Sequence, residues 1–321
     1  MASAFSDPRF HNEEAAFAAL EGIMWPGGKP EACPCCGVVG KCNKLAVQTS
    51  KPSKKNPEGK PVYGVWKCYA CRQKFTVRKG TIFEESRLEL RLWFQAAFLM
   101  CSSKKGVSAN QLHRTLGITL KSAWFLAHRL REAMRDGSLA VPFGSDGGAV
   151  EVDETFIGRK KSKLVRHGYA HKHKVLSLID RNSGQARSMV VENVDTATIA
   201  PIVRANLARE ARLMTDEAKH YIKVGREFAD HQRVHHAKEE YVRGDAHTNT
   251  AEGFFSIFKR GMKGVYQHCQ EKHLHRYLAE FDFRYNNRIA LGVNDVSRTT
   301  AALKGAKGKR LTYRGPDGRT A

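Results

Sequence analysis

The sequence lacks any run of about 18 consecutive apolar residues, the length that a membrane-spanning helix requires. Its first residues, MASAFSDPRFHNEEAAF, lack the basic start and the apolar stretch of a secretory signal peptide. We also find no internal repeat along the chain. These absences argue against a membrane protein and a secreted protein, and they predict a cytoplasmic one.

Acidic residues are scarce relative to basic ones, with 32 Asp and Glu against 54 Lys and Arg and a net charge of +22. A chain this basic repels itself unless a polyanion neutralises it. Nucleic acid is the usual partner, because neutralising its phosphates releases condensed counterions. An anionic membrane surface is the competing partner, but no basic amphipathic helix with a clean apolar face is present. We therefore predict binding to nucleic acid and not to membranes.

Cysteine is nearly absent outside one short segment: six of the eight cysteines lie within residues 33–71. Two pairs there have the CxxC spacing, Cys33 with Cys36 and Cys68 with Cys71, and 31 residues separate the pairs. Two such pairs can complete a tetrahedral four-sulfur shell around a structural zinc ion. A redox pair or free cysteines are the alternative. Within the same segment, Cys35 is an extra thiol and therefore an additional candidate zinc ligand.

The segments between these landmarks differ in composition. A basic insert, QTSKPSKKNPEGKP, separates the cysteine pairs and is expected to be a loop, while its flanks VYGVWKC and KFTVRKG are expected to be short strands. The cysteine-containing segment and these strands would form a zinc ribbon, and we expect its basic rim to contact the DNA backbone. The rim residues are Lys51, Lys54, Lys55, Arg72, Lys74, Arg78 and Lys79. The predicted divisions are 1–30 (helix and entry), 31–82 (zinc ribbon), 83–136 (helical), 137–149 (linker), 150–300 (α/β domain) and 301–321 (basic, mobile tail).

A helix-turn-helix is predicted within SANQLHRTLGITLKSAWFLAHRLREAM. Ser108 can cap its first helix, Gly117 fits the turn and Thr119 can cap the second helix. The second helix then presents polar and basic side chains suited to a DNA groove: Lys121, Ser122, His128, Arg129 and Arg131. An ordinary helical hairpin is the alternative.

Beyond the linker the predicted elements follow the order β-β-β-α-β-α, which fits an α/β layer fold. Three acids hold notable places in it: Asp153 within a strand, Asp216 at a strand end and Glu252 in the first turn of a helix. Burial of an unpaired carboxylate is unfavourable, but it becomes reasonable when the carboxylate binds a hard cation such as Mg²⁺. Two such ions about 3.5–4 Å apart suit phosphodiester chemistry. Lys259 lies two turns after Glu252 on the same helix face. These residues favour a metal-dependent nuclease, although capping or surface acids are the alternative.

The sequence resembles the DDE transposases of bacterial insertion sequences, in the branch with an N-terminal zinc ribbon and a ribonuclease-H-like catalytic domain. The matching segments span roughly residues 30–290: CPCCG, WKCYACRQKFTVRKGTIFEES, GVSANQLHRTLGITLKSAWFLAHRLREAM, VEVDETFIG, LMTDEAKHY, HTNTAEGFFSIFKRGMKGVYQH and HLHRYLAEFDFRYNNR.

The resemblance implies a fold, a site and an activity. The fold would be an α/β, ribonuclease-H-like catalytic domain preceded by the zinc ribbon and the helical segment. Asp153, Asp216 and Glu252 would bind Mg²⁺ or Mn²⁺, with Lys259 as the basic residue seven positions after the third acid. The implied activity is cleavage at the terminal inverted repeats of a transposon, then attack of the freed 3′-hydroxyl on target DNA.

By the same analogy, the protein would act as a homodimer or higher oligomer on double-stranded DNA, in a bacterial cytoplasm and associated with the nucleoid. Two competing functions remain open. One is a DNA-binding regulator in which the nuclease domain is only a scaffold, which the intact acid triad and Lys259 argue against. The other is a nuclease of the same fold that cuts DNA without joining it.

Overall fold

The structure is a computed structural model, and it describes residues 3–54, 56–135, 141–160, 168–235, 240 and 242–312. In chain order the helices are α1 (Glu13–Met24), α2 (Leu90–Ser102), α3 (Ala109–Leu116), α4 (Leu120–Met134), α5 (Thr196–Asn206), α6 (Tyr221–Gly225), α7 (Asn249–Gly261), α8 (Glu271–Asn286) and α9 (Asp295–Lys304). The strands are β1 (Cys42–Lys44), β2 (Gln48–Thr49), β3 (Pro61–Val62), β4 (Trp66–Cys68), β5 (Lys74–Phe75), β6 (Ala149–Ile157), β7 (His173–Asp180), β8 (Gln185–Val191), β9 (Arg212–Thr215), β10 (Asp230–Arg233), β11 (Val242–Arg243) and β12 (Ala246–His247).

The chain divides into two units. The first contains Met1–Ser103, Val107–Arg135 and Asn294–Ala321, and the second contains Lys104–Gly106 and Asp136–Val293. Among the described helices of both units, none is both long and apolar enough to cross a membrane.

The first unit combines helices with a small antiparallel sheet of order β1-β4-β5. The two predicted flanking strands are present as β4 and β5, and their apolar residues Trp66 and Phe75 are buried with the cysteines. The insert between the cysteine pairs was expected to be a loop only. It contains the short hairpin of β2 and β3, in which Gln48 pairs with Val62 and Thr49 with Pro61.

The second unit is built on a five-stranded mixed sheet of order β10-β9-β6-β7-β8. The strands β6, β7 and β8 form an antiparallel meander, while β9 and β10 run parallel to β6. Apolar residues cover both faces of this sheet, because alternate side chains of a strand point to opposite faces. Val150 and Val152 pack with residues of α5, whereas Val175 and Ile179 pack with residues of α7 and α8.

The predicted order β-β-β-α-β-α is present in this unit as β6, β7, β8, α5, β9 and α7. Between β9 and α7 the described residues also form helix α6, strand β10 and the hairpin of β11 and β12. Each helix or strand among them has five residues or fewer, and β10 reads DHQR, without the β-branched or aromatic residues that mark a strand.

The structure corrects two predicted boundaries. Helix α9 continues into the segment 301–321 that was expected to be a mobile tail, and it belongs to the first unit and not to the α/β domain of 150–300. The cause is burial, since Leu303 and Ala306 lie in the core. Within the predicted linker 137–149, Phe143 is buried in the core of the second unit, while 137–140 fall outside the described residues.

Helix α8 covers the outer backbone of the edge strand β8. The Asn286 side chain accepts from the Ala186 N–H at 2.6 Å and donates to the Ala186 carbonyl at 2.9 Å. One turn earlier, Asp282 accepts from the Ser188 N–H and the Ser188 hydroxyl, both at 2.7 Å. These side chains take the place of a further strand, because they satisfy backbone groups that an edge strand would otherwise leave exposed.

We expect Asp282→Asn to stabilise the protein as the pH rises. Burial raises the pKa of Asp282 to about 7, although the hydrogen bonds from Ser188 lower it in part. Because the folded-state pKa lies above the unfolded value of about 3.9, wild type loses stability between about pH 4 and pH 7. Asparagine keeps an acceptor for Ser188 and has no charge to bury. The melting temperature of the zinc-loaded chain, measured by circular dichroism, should favour the variant more at pH 8 than at pH 5.5; an equal difference at both pH values contradicts the argument.

Candidate active site and metal centres

The four CxxC cysteines lie together in the first unit. The Sγ atoms of Cys33 and Cys71 are 3.8 Å apart, as are those of Cys36 and Cys68, and all four lie within 4.8 Å of one another. A tetrahedral zinc with Zn–S bonds of about 2.3 Å requires sulfurs about 3.8 Å apart, so this cluster fits the ion. Burial opposes ionisation of Cys33, but N–H groups of Cys35 and Cys36 donate to its sulfur and lower its pKa to about 6.

Two local features position one cysteine of each CxxC pair. Antiparallel pairing of β1 with β4 places Cys42 opposite Cys68, which is buried. In the turn of the first CxxC pair, Gly37 adopts a left-handed conformation (φ of 76°) that lets its N–H donate to the Cys33 carbonyl at 2.8 Å. The other two thiols within residues 33–71 stay outside the four-sulfur group: Cys35 is exposed, and Cys42 is buried.

The predicted helix-turn-helix signals have the expected local structure. Ser108 caps α3 by accepting from the Gln111 N–H, and Thr119 caps α4 by accepting from the Ser122 N–H. Gly117 ends α3 in the left-handed conformation that the turn requires. Helices α3 and α4 therefore form a capped helical pair.

Two arginines predicted to contact DNA from α4 are instead buried. Arg129 is 6% exposed and donates to the carbonyls of Ile82 at 2.7 Å and of Glu84 at 3.0 Å. Arg131 is 2% exposed. Helical spacing alone does not show which side of a helix is buried, and here these two guanidinium groups face the interior. The other residues predicted to contact DNA from this helix are His128, which is buried, Lys121, which is exposed, and Ser122, which is half-buried.

The basic rim of the ribbon is also smaller than predicted. Arg72 and Lys74 are exposed, and Lys74 donates to Gln48 at 3.1 Å. Arg78 instead binds the Ser86 and Leu88 carbonyls and forms an ion pair with Glu13. The other rim residues divide as follows: Lys51, Lys54 and Lys79 are exposed, and Lys55 lies outside the described residues.

The second unit brings acidic side chains together where β6 and β9 run side by side. In their parallel register Glu151 lies beside Met214, so continuing it by two residues places Asp216, which directly follows β9, beside Asp153. One carboxylate oxygen from each of Asp153, Glu154 and Asp216 lies within 4.8 Å of the others. Two of the three predicted acids are therefore close together.

Glu154 is a member of this cluster that the sequence analysis did not select. It faces the opposite side of the sheet from Asp153, and its Oε1 accepts from His220 Nε2 at 2.6 Å and from the Tyr221 hydroxyl at 2.5 Å. These two donors fix one of its oxygens. The sequence signal was ambiguous because Asp153 and Glu154 are adjacent acids in one strand.

The acids oppose one another electrostatically. Burial, followed by the negative charges of Glu154, Asp216 and Glu252, raises the pKa of Asp153 to about 7. Burial also raises the pKa of Asp216, as do the charges of Glu154 and Glu217. Clustered carboxylates become favourable when a hard cation neutralises them, so the chemistry of this donor set fits a divalent ion.

Helix α7 presents the remaining predicted residues. Glu252 is exposed in its first turn, and Lys259 is half-buried in its last turn. Glu252 is not among the three acids whose oxygens lie within 4.8 Å, but its charge reaches Asp153. The structure thus places the third acid near the cluster without joining it to the cluster.

Comparison with known families finds a match within each unit. Residues 146–286 match the ISXO2-like transposase domain, and residues 11–74 match the transposase zinc-ribbon domain. The two matches together cover well over half of the chain.

Individual relatives agree with these matches. An uncharacterized protein in the transposable element ISH50 of Halobacterium salinarum is 26% identical over 291 residues, which cover 86% of this chain and 91% of that protein. An uncharacterized transposase-like protein of Haemophilus influenzae is 26% identical over 31% of this chain and 80% of its own length. A chain in the structure of the simian T-cell lymphotropic virus intasome with PP2A regulatory subunit B56 gamma aligns over 58% of this chain and 64% of that chain. At 12% identity and a TM-score of 0.29, that alignment is too weak to support a conclusion.

On the two domain matches, the chain belongs to the insertion-sequence transposases, with a transposase zinc-ribbon domain followed by an ISXO2-like transposase domain.

Proposed function

We propose that the second unit is a ribonuclease-H-like catalytic domain that cuts DNA at transposon ends and joins the freed 3′-hydroxyl to target DNA. The observation that carries this proposal is the cluster of Asp153, Glu154 and Asp216 beside β6 and β9. The sheet supports it as well, since an antiparallel meander is followed by two strands parallel to its first strand.

In this proposal Asp153 and Asp216 hold Mg²⁺ or Mn²⁺ through their clustered carboxylate oxygens. Glu154 can supply a further oxygen, because its partners His220 and Tyr221 both bind Oε1 and no other described residue is hydrogen-bonded to its Oε2. When bound, such ions activate the attacking oxygen and stabilise the leaving oxygen. The chain's own part is to orient the carboxylates, and the pairing of β6 with β9 does so for the first two.

Residues of α7 complete the proposed site. Glu252 serves as the third acid and approaches from the helix on the same side of the sheet as Asp153. Lys259, two turns further along that face, provides a positive charge for a DNA phosphate. The amphipathic helix supports this arrangement, since Phe254, Phe255 and Phe258 anchor its other face in the core.

The first unit is proposed to recognise double-stranded DNA. Its accessible candidates are Lys121 and Ser122 on α4 and Arg72 and Lys74 on the ribbon. The net charge of +22 favours binding to phosphates. The proposed partners are the terminal inverted repeats and target DNA, bound by a homodimer or higher oligomer associated with the bacterial nucleoid.

We expect Lys121→Ala to weaken DNA binding and Arg129→Ala to weaken the fold. Loss of one phosphate contact should lower affinity severalfold and reduce the salt dependence of binding by about one counterion. Removal of Arg129 leaves the Ile82 and Glu84 carbonyls without their donor, which should lower the melting temperature. Fluorescence anisotropy on terminal-repeat DNA at several salt concentrations, with thermal unfolding, checks both. Unchanged affinity and salt slope for Lys121→Ala would remove it from the DNA interface.

Cleavage and strand transfer on DNA with the element's terminal repeats test the proposed function. The zinc-loaded chain is assayed with Mg²⁺, with Mn²⁺ and without any added divalent ion. Cut ends joined to a target plasmid, in a metal-dependent reaction, support the transposase proposal. Cleavage without joining favours the nuclease alternative, and tight binding without cleavage favours the regulator.

A further inference from the structure

Glu151 is a fully buried carboxylate that the proposed chemistry does not use. It lies in β6, two residues before Asp153, and is 0% exposed. Because side chains alternate along a strand, both acids point to the face of the sheet that α7 covers. A buried charge of this kind is unfavourable unless it is paired and hydrogen-bonded, so its partners indicate what it does.

The Glu151 carboxylate binds the start of α7. Its Oε1 accepts from the Thr250 hydroxyl at 2.7 Å, and its Oε2 accepts from the Ala251 N–H at 2.8 Å. The first N–H groups of a helix have no partner within the helix, and the N-cap residue Thr248 does not satisfy them with its side chain. Glu151 therefore supplies, from a neighbouring strand, the cap that α7 lacks.

Arg181, in the turn after β7, completes this contact. Its Nε donates to Glu151 Oε1 at 2.7 Å. Its other nitrogens donate to the carbonyls of Asp245 and His247, both at 2.8 Å, in the hairpin that leads into α7. The pair thus fixes the helix and the segment before it to the sheet.

We propose that Glu151 is a positioning residue which, with Arg181, sets where Glu252 lies relative to Asp153 and Asp216. Glu252 directly follows the two residues that Glu151 binds, so a shift of this contact moves the third acid. The inference rests on the proposed function of the acid cluster. A merely structural ion pair could be replaced by packed apolar residues, but these could not hold Thr250 and the Ala251 N–H.

Two measurements on the zinc-loaded full chain test the inference. They are Mn²⁺ binding, measured by electron paramagnetic resonance, and the rate of end cleavage. Residues that orient metal ligands typically change affinity or activity by about 10–100-fold. We therefore expect Glu151→Gln to weaken Mn²⁺ binding and slow cleavage within that range. In the Glu252→Gln background, the same substitution should have no further effect on either measurement.

The double variant distinguishes positioning from general support of the fold. If the Glu151→Gln and Glu252→Gln effects multiply, Glu151 does not act through Glu252 and the inference is wrong. Wild-type affinity and rate in Glu151→Gln overturn it as well. If wild type binds Mn²⁺ but never cuts, the proposed function fails, while the Mn²⁺ measurements still decide the inference.

Two further variants keep the inference testable if Glu151→Gln fails to fold. Thr250→Val removes one hydrogen bond while leaving Glu151 paired with Arg181, and should weaken Mn²⁺ binding about fivefold while the chain stays folded. If Glu151→Gln does not fold, unchanged Mn²⁺ affinity in Thr250→Val overturns the inference. Ser188→Ala is the matched control, because it removes a hydrogen bond to another buried acid, Asp282, and should leave Mn²⁺ affinity unaltered.

Discussion

Replacing Asp153 with asparagine is expected to slow end cleavage and strand transfer by at least about 10³-fold, or about 4 kcal/mol in the barrier. Asparagine has nearly the same shape, so the packing of β6 is kept. It removes the charge that, with Asp216, would hold a divalent ion. Burial and the neighbouring acids raise the pKa of Asp153 to about 7, which shows how strongly this place disfavours a negative charge without a cation.

The assay for this variant separates chemistry from binding. Asp153→Asn should bind terminal-repeat DNA with wild-type affinity and melt no lower than wild type in the absence of divalent ions. Asp230→Asn is the matched control, since Asp230 is a half-buried acid on β10 of the same sheet that lies outside the cluster. We expect the control to cut and join normally. Wild-type rates in Asp153→Asn would show that the active site lies elsewhere.

Loss of one zinc ligand is expected to unfold the ribbon. Structural zinc sites contribute about 10–16 kcal/mol of apparent binding free energy in small zinc domains, far more than three short strands can supply. Cys36→Ser should therefore lose zinc and leave Trp66 and Phe75 without their ordered core. Binding to terminal-repeat DNA should fall at least about tenfold, because the ribbon's exposed Arg72 and Lys74 lose their fixed positions.

Cys35→Ser provides the control, because Cys35 lies next to Cys36 within the same CxxC pair. Cys35 is exposed and lies outside the four-sulfur group, so this variant should keep one zinc per chain and wild-type DNA affinity. Zinc content by atomic emission, and hydrogen exchange of β1, β4 and β5, measure the outcome. Loss of zinc in both variants would mean that Cys35 is a ligand and that the assignment by spacing is wrong.

Local signals in the sequence were sufficient for several parts of the structure. The caps at Ser108 and Thr119 and the turn at Gly117 depend on residues within one or two helical turns. The CxxC spacing is equally local, and it selected the four sulfurs that the structure brings together. The strand holding Asp153 could be predicted because its alternation and β-branched residues extend over nine positions.

The remaining features depend on contacts between distant residues. Arg129 is buried because carbonyls of Ile82 and Glu84, more than forty positions away, accept its hydrogen bonds. The place of α9 in the first unit follows from packing that no local pattern records. Glu154 joins the acid cluster through the pairing of β6 with β9, and pairing between strands so far apart in the chain is not visible in periodicity.

The cover that α8 places over β8 limits how copies of this protein can associate. With both outward backbone groups of Ala186 and the Ser188 N–H already engaged, this stretch of the margin offers a neighbouring chain few groups with which to extend the sheet. The opposite margin, β10, is only four polar residues long. In the proposed assembly on DNA ends, we expect copies to contact one another through side-chain surfaces or through the nucleic acid itself. The same cover disfavours strand-to-strand stacking at this edge of the sheet.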